Sequence, residues 1–339
     1  MNVAVLMGGI SGEREVSLAS GVQVVRALRE AGDEAVGVDT SQGVLTPVQE
    51  EAILAGGIKD PTPSSHEGDV FLTGDLGSLT SDSRFREAEV VFLTLHGGGG
   101  EDGTIQTLLE LGKIPYVGSG PVGCALAMDK DLSKRLFRDA GVQTPPWISV
   151  VGRLEAEARL GEIVERLGLP LIVKPPSGGS TLGLTLAHDQ EELQAAIALS
   201  LEFEERILFE GYIRGREVTV GIVGEEALPV GEIVPEHELF DYECKYREGM
   251  AQEIFPADLP TDTASLIQGA ALAAHRALRL RDFSRVDFIL DRDGVPWCLE
   301  ANALPGLTGN SLLPKGARAA GISFPALCHR VALMGSQRS

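Results

Sequence analysis

The feature that most constrains the fold is a unit that occurs twice in the first 120 residues: an apolar run, a glycine-rich turn, then a segment with helical periodicity. Residues 3–7 (VAVLM) are apolar, GGISG follows, and Leu18, Val22, Val25 and Leu28 then recur along one helix face until Gly32. The unit returns with VVFLTL (90–95) as strand, GGGGEDG as turn, TIQTLLEL as helix, Gly112 as its stop and IPYVG as the next strand. Strands that alternate with helices are not joined as hairpins, so this grammar predicts an α/β fold with a parallel sheet covered by helices. The stretch from Ser41 to Glu89 is polar and poorly periodic, with Pro61 and Pro63 inside it. It reads as a surface excursion holding a short helix or strand.

Beyond residue 122 the grammar changes. A helix from Val122 turns Met128, Leu132 and Leu136 inward and ends at Gly141, and Pro145-Pro146 marks a linker or strand entry. LPLIVKPPSGGSTLGLTLA (169–187) reads as strand, turn, strand; DQEELQAAIALSLE reads as a helix; and residues 206–224 hold two more strands. This middle part is antiparallel in character and suggests a separate domain, as a length of 339 residues also does. Helices at 262–279 and 323–334 flank a final hairpin. A formal charge of −20 argues against a partner such as nucleic acid or a membrane surface, which calls for basic patches. The opening run is too short for a signal peptide, and no run has the length of a membrane span. Cys124, Cys244, Cys298 and Cys328 are scattered, with no C-x-x-C pair, and read as reduced thiols of a cytoplasmic protein.

Two stretches carry chemistry. In SRVDFILDRDGVPWCLEANALPGLTGNS (284–311), Asp-Gly separates two apolar runs, the strongest short signal for a hairpin. With Asp293-Gly294 as a two-residue loop, Arg292 faces Val295, Asp287 opposes Glu300, and Arg285 opposes Asn302, all four site side chains on one face. Opposed carboxylates repel. A hard divalent cation relieves them, and a solvent-facing hairpin with Arg285 neutralising both acids accounts for the same pattern. Pro296 confines its strand to a sheet edge or a bulge. In KPPSGGSTLG, Lys174 ends an apolar strand before Ser177, Gly178, Gly179 and Ser180, a composition that lets backbone N–H groups approach phosphate oxygens. A hairpin turn with a snorkelling lysine reads the same way. Glu210 and Glu217 stand at strand ends, where each could accept from a ribose or lie near an adenine edge. There is no G-x-x-x-x-G-K-[ST] motif, and GGISG lacks the G-x-G-x-x-G spacing of a dinucleotide site.

Taken together, these pieces resemble the ATP-grasp superfamily, and within it the D-alanine–D-alanine ligases. The resemblance rests on GEREVSLASG (12–21), HGGGGEDGTIQ (96–106), YVGSGPVGCALAMDK (116–130), YECKY (242–246) and EANALPGLTGNSLLP (300–314). It implies a Rossmann-like N-terminal domain (1–122), a central ATP-grasp lid (123–214) and a C-terminal ATP-grasp subdomain (215–335). The implied reaction moves the γ-phosphoryl of ATP onto one D-alanine, whose acyl phosphate is attacked by the amine of a second. The implied metal ligands are Asp287, Glu300 and Asn302, holding two Mg²⁺ ions with Mn²⁺ as a substitute, and activation by a monovalent cation is also implied. Lys130, Lys174, Ser180 and Lys245 would meet the nucleotide phosphates; Glu210, Gly211, Tyr212 and Ile213 would line the adenine, and Glu217 the ribose. Arg285 and the Gly306 N–H would stabilise the tetrahedral oxyanion. Glu15 would pair with the first ammonium beside His96, while Ser311 and Leu312 would receive the second carboxylate. Tyr246 and Ser180 would bridge to Glu15 and close a loop over the site. A homodimer is expected, and peptidoglycan precursor synthesis is the implied role. The chain departs from the common pattern at Gly211, where many relatives carry a long side chain, and at Leu304, which is nearer to ligases that accept D-lactate. Tyr246 points back to the dipeptide product.

Overall fold

The computed structural model describes residues 1–56, 80–179, 182–236 and 250–338. The first sheet contains β1 (Asn2–Met7), β2 (Glu34–Asp39), β3 (Gly43–Val44) and β4 (Val90–Leu93), in the order β3-β2-β1-β4. β1 pairs in parallel with β2 and β4, and β3 runs antiparallel to β2. Residues Val3 to Met7 are all buried, as a parallel strand covered on both faces requires. The helices Arg14–Glu30 and Phe324–Ser336 pack on this sheet and on each other. IPYVG adds only one parallel rung, Val91 with Tyr116, and does not extend into a full strand. The described parts of the 41–89 excursion hold β3, the helix Pro47–Gly56 and the short helix Ser83–Arg86.

The other two sheets are antiparallel. One contains β5 (Trp147–Val151), β6 (Leu171–Lys174), β7 (Thr185–Ala187) and β8 (Arg206–Gly211) in the order β5-β8-β6-β7. Its core is closed by the helices Gly152–Leu167 and Gln190–Ser200. β5 begins directly after the strand entry marked by Pro145-Pro146, whereas the helix after it has no counterpart in the sequence reading. The last sheet contains β9 (Gly215–Val223), β10 (Glu226–Ala227), β11 (Gly231–Pro235), β12 (Ala251–Ile254), β13 (Phe283–Asp291) and β14 (Pro296–Asn302). Its order is β12-β11-β9-β13-β14, with β10 on β9.

The single helix expected from Val122 is two helices, Pro121–Met128 and Lys130–Asp139. Asp129 takes an extended conformation between them, and its carboxylate accepts from the Leu132 N–H at 3.1 Å as an N-cap. The interruption turns the second helix so that Lys130, Ser133, Lys134 and Phe137 face inward. Leu132, expected inside, is 43 % exposed.

The final hairpin keeps the expected pairs Asp287 with Glu300 and Arg285 with Asn302, by a different route. The loop is one residue longer than the two-residue turn: Asp291 bonds Val295, and Gly294 takes the left-handed φ of +80° that such a loop needs. That shifts the register by one near the turn, so Phe288 faces Cys298. An irregularity between Asp287 and Phe288 restores it. Pro296 lies on β14, an edge strand, as its missing N–H demands.

Candidate active site

The two antiparallel sheets enclose a cavity of about 350 Å³, contributed by β6, β8, β9, β11, β13 and β14. Lys130, Lys174, the Glu210–Ile213 segment, Glu217, Arg285, Asp287, Glu300 and Leu312 all line it. The hairpin acids are held differently from each other. The Asp287 carboxylate accepts from Arg285 Nε at 2.9 Å and Nη2 at 2.8 Å, from Thr219 Oγ1 at 2.6 Å and from Asn302 Nδ2 at 2.9 Å. The Glu300 carboxylate lies 3.3 Å from Lys130 Nζ, which also donates to the Gly178 carbonyl at 2.6 Å. Thr219 escaped the sequence reading because it sits on β9, which becomes the neighbour of β13 only on folding.

The turn of KPPSGGSTLG is anchored at its start. Lys130 N–H bonds the Pro176 carbonyl, Ser177 N–H bonds Glu204, and Arg206 reaches both Asp129 (2.8 Å) and Ser177 Oγ (3.2 Å). Deeper in, Glu210 Oε1 lies 3.0 Å from Lys174 Nζ and 3.1 Å from Lys134 Nζ. Burial alone would raise the Glu210 carboxyl, yet the two lysines hold it below its ordinary range. Its side chain therefore faces ammonium groups as well as the nucleotide-sized space expected for it. Lys134 was missed because a lysine at an inward helix position is rare unless paired, and its partner is distant in sequence.

At Gly211, a Cβ would meet Pro146 Cγ at 3.1 Å, so the chain accommodates Pro146 where a side chain would otherwise emerge. Ser311 ends the 303–311 loop. Its Oγ accepts from Thr308 N–H at 3.1 Å and lies 2.9 Å from where a Cβ on Gly306 would stand. It directly precedes the helix Leu312–Ala319, whose first N–H groups have no partner within the helix.

The N-terminal sheet brings a further group to the same side. His96 is buried, bonds the Leu304 backbone and lies 3.5 Å from Ser20 Oγ; burial lowers its pKa, with the Glu13 charge opposing. An acid that reaches this place is Glu13. Glu13 Oε2 is 2.9 Å from where a Cβ on Gly97 would stand, and 3.8 Å from one on Gly179. Gly97, at φ +70°, is thus required both by its backbone and by the approach of this carboxylate. Glu13 is the residue before the helix Arg14–Glu30, and Glu15 lies in its first turn. Ser180, Lys245 and Tyr246 lie outside the described residues, and Cys244 does too; Cys124, Cys298 and Cys328 are buried and unpaired.

Glu101 also escaped the sequence reading. It accepts from the Gly97 N–H at 2.7 Å, and burial raises its carboxyl to about 8, with the Glu13 charge adding to the rise. The folded protein therefore keeps this proton between the ordinary carboxylate range and about pH 8, where the unfolded chain has lost it. Stability falls as pH rises through that window. Glu101→Gln is expected to raise the melting temperature by a few degrees at pH 8 and to converge on wild type at pH 5. A gain of the same size at both pH values would remove the titration from the explanation.

The donor set suits a hard cation. Two carboxylates and an amide on one hairpin face match Mg²⁺ beside substrate phosphates, which needs only one or two acids from the protein. Among the described residues no group of three or more His, Cys, Asp or Glu could hold a metal, so an all-protein cage of those residues is not found there.

The comparisons with known proteins agree with this geometry. Residues 2–119 match the family model "D-ala D-ala ligase N-terminus", and residues 136–332 match "D-ala D-ala ligase C-terminus". The D-alanine–D-alanine ligase of Pelotomaculum thermopropionicum is 38 % identical, over 98 % of this chain and 95 % of its own length. That of Bordetella avium is 42 % identical, over 96 % and 92 %. Among solved structures, the Bacillus anthracis D-alanine–D-alanine ligase complexed with ATP matches with a TM-score of 0.78 and 31 % identity, covering 99 % of this chain and 96 % of that one. The VanG D-Ala:D-Ser ligase of Enterococcus faecalis matches at 0.81 and 31 %, covering 98 % of each. By sequence, by fold and by the content of its cavity, the chain belongs to the D-alanine–D-alanine ligase family of ATP-grasp enzymes.

Proposed function

We propose that this chain joins two D-alanines to D-alanyl-D-alanine with cleavage of ATP to ADP and phosphate, supplying peptidoglycan precursor synthesis. The observation that carries the reading is the convergence of Arg285, Asp287, Glu300 and Lys130 on one cavity that Lys174 and Glu210 also line. The carboxylate of the first D-alanine takes the γ-phosphoryl group of ATP. The amine of the second attacks the acyl phosphate, and phosphate leaves from the tetrahedral intermediate. Lys130 and Lys174 hold phosphate oxygens, Glu210 to Ile213 border the adenine, and Glu217 takes the ribose. Asp287, Glu300 and Asn302 would hold two Mg²⁺ ions, or Mn²⁺. When bound, these supply neutralisation of charge on the transferring phosphoryl group. Arg285 and the Gly306 N–H receive the oxyanion. Ser311 and the Leu312 N–H receive the carboxylate of the second substrate at a helix N-terminus. Ser180, Lys245 and Tyr246 keep the roles that the family resemblance gives them.

For the first ammonium we assign Glu13 in place of Glu15, with His96 beside it. The three separate sheets support a division near 1–122, 123–214 and 215–335, although the helix Lys130–Asp139 joins the core of the last. We also propose a cytoplasmic homodimer that a monovalent cation activates; among the described residues no helix is long and apolar enough to cross a membrane. The test is phosphate release from ATP and Mg²⁺ with D-alanine, with L-alanine, and with D-alanine plus D-serine or D-lactate, each product weighed by mass spectrometry. D-Alanine alone is expected to give phosphate and the dipeptide mass, and L-alanine neither. A depsipeptide at neutral pH would mean that Leu304 outweighs Tyr246. In the same assay Glu13→Gln is expected to raise KM for D-alanine by about ten- to a hundredfold, and Glu15→Gln to change it by less than about twofold. The reverse ranking would return the ammonium site to Glu15.

A further inference from the structure

Lys134 is fully buried and does not line the cavity, yet it touches β8 and the Thr144–Pro145 segment behind it. It projects from the helix Lys130–Asp139. Its Nζ lies 3.1 Å from Glu210 Oε1 on β8, and it donates to Thr144 Oγ1 at 2.8 Å and to the Pro145 carbonyl at 3.3 Å. Thr144 Oγ1 in turn donates to the Cys298 carbonyl on β14 at 2.8 Å, two residues before Glu300. The ammonium also sits 5.5 Å from the centre of the Trp147 ring. A buried ammonium is costly, and replacing a buried ion pair with apolar groups is often neutral or stabilising. Folding stability is therefore a weak reason for a lysine here.

The arrangement of charges gives a better one. Lys174, which does line the cavity, shares the same Glu210 oxygen at 3.0 Å. Alone with Lys174, Glu210 would form a neutral buried pair whose ammonium has little left to offer a second anion. With Lys134 behind, two ammonium groups share one carboxylate, and the group carries a net charge of +1 on its cavity side. We propose that Lys134 is a positioning residue for nucleotide binding: by occupying Glu210 from behind, it leaves the Lys174 ammonium under-neutralised and available to an ATP phosphate. Burial lowers Lys134 to about 8, and the Glu210 charge opposes the fall. The inference rests on the reading of the cavity as an ATP site but not on the identity of the amino acid substrates.

The test compares two ligands, Mg-ATP and adenosine, on the full chain, with ATP measured by calorimetry and adenosine by competition. Lys134→Met is expected to weaken ATP binding by about ten- to a hundredfold, the range for loss of one charged hydrogen bond, and to leave adenosine within about twofold. Lys134→Met/Glu210→Gln is expected to recover most of the wild-type ratio of ATP to adenosine affinity, because Lys174 then has no carboxylate to neutralise it. Equal weakening of ATP and adenosine would reduce Lys134 to a packing role and overturn the proposal, as would unchanged ATP binding. If Lys134→Met fails to fold, Glu210→Gln decides: its ratio of ATP to adenosine affinity is expected to match or exceed wild type, and a lower ratio overturns the proposal. A wild-type protein that binds ATP but forms no product from D-alanine would sink the substrate assignment and leave this comparison intact.

Discussion

Arg285→Ala is expected to release phosphate in the presence of D-alanine about a hundred- to a thousandfold more slowly than wild type, the loss seen when a single oxyanion donor is removed. ATP affinity is expected to stay within about threefold. The reason for the split is geometric. Arg285 lines the cavity and grips Asp287 through Nε and Nη2, and Asp287 retains Thr219 and Asn302 as donors when the guanidinium is gone. The nucleotide-facing lysines are untouched by the substitution. An interaction made only in the transition state lowers kcat and kcat/KM together. The measurement is steady-state turnover beside calorimetric ATP binding. If ATP affinity fell in parallel with turnover, Arg285 would be a support for the acidic pair and not a stabiliser of the intermediate.

Asp287→Asn and Glu300→Gln are each expected to lower turnover by about a thousandfold, since phosphoryl transfer depends on cation clamps more than on covalent help. Chelation of divalent ions should abolish wild-type turnover, and Mg²⁺ or Mn²⁺ should restore it. The variants differ in a second respect. Asp287 accepts five hydrogen bonds from Arg285, Thr219 and Asn302, so an amide at 287 must turn a donor towards other donors and is expected to lower the melting temperature. Glu300, 25 % exposed beside Lys130, should tolerate its amide with little change in stability. Titration of Mn²⁺ by electron paramagnetic resonance, with ATP present, reads the metal directly. Unaltered Mn²⁺ binding in both variants would remove the two acids from the metal site.

Much of this was legible in the sequence because the chemistry sits on regular elements. Strand alternation alone puts Arg285, Asp287, Glu300 and Asn302 on one face, and strand–turn–helix order alone calls for the parallel sheet. The hairpin shows how such a reading succeeds: the loop is a residue longer than expected, the strand irregularity after Asp287 offsets it, and the functional pairs survive both departures. What the sequence did not yield depends on contacts between distant segments. Nothing local tells which of Glu13 and Glu15 faces the end of the sheet. Nor does anything local mark Lys134 as buried, since its partner on β8 and its Thr144 contact arise only when three elements meet. The break at Asp129 is a capping event, and its consequence was a wrong inward face for the helix that follows.

The helix Phe324–Ser336 lies against β4 and the helix Arg14–Glu30, and Leu304, Leu313, Leu327 and Val331 belong to the same core as Val3 to Met7. The sheet of β1 to β4 is thus completed by a helix that begins only at Phe324. During synthesis the face of β4 that this helix covers waits while the roughly two hundred residues between them are made, which at usual elongation rates takes on the order of ten seconds or more. Contacts between segments so far apart in sequence form slowly, so this face of the sheet is open to non-native contacts until the helix docks.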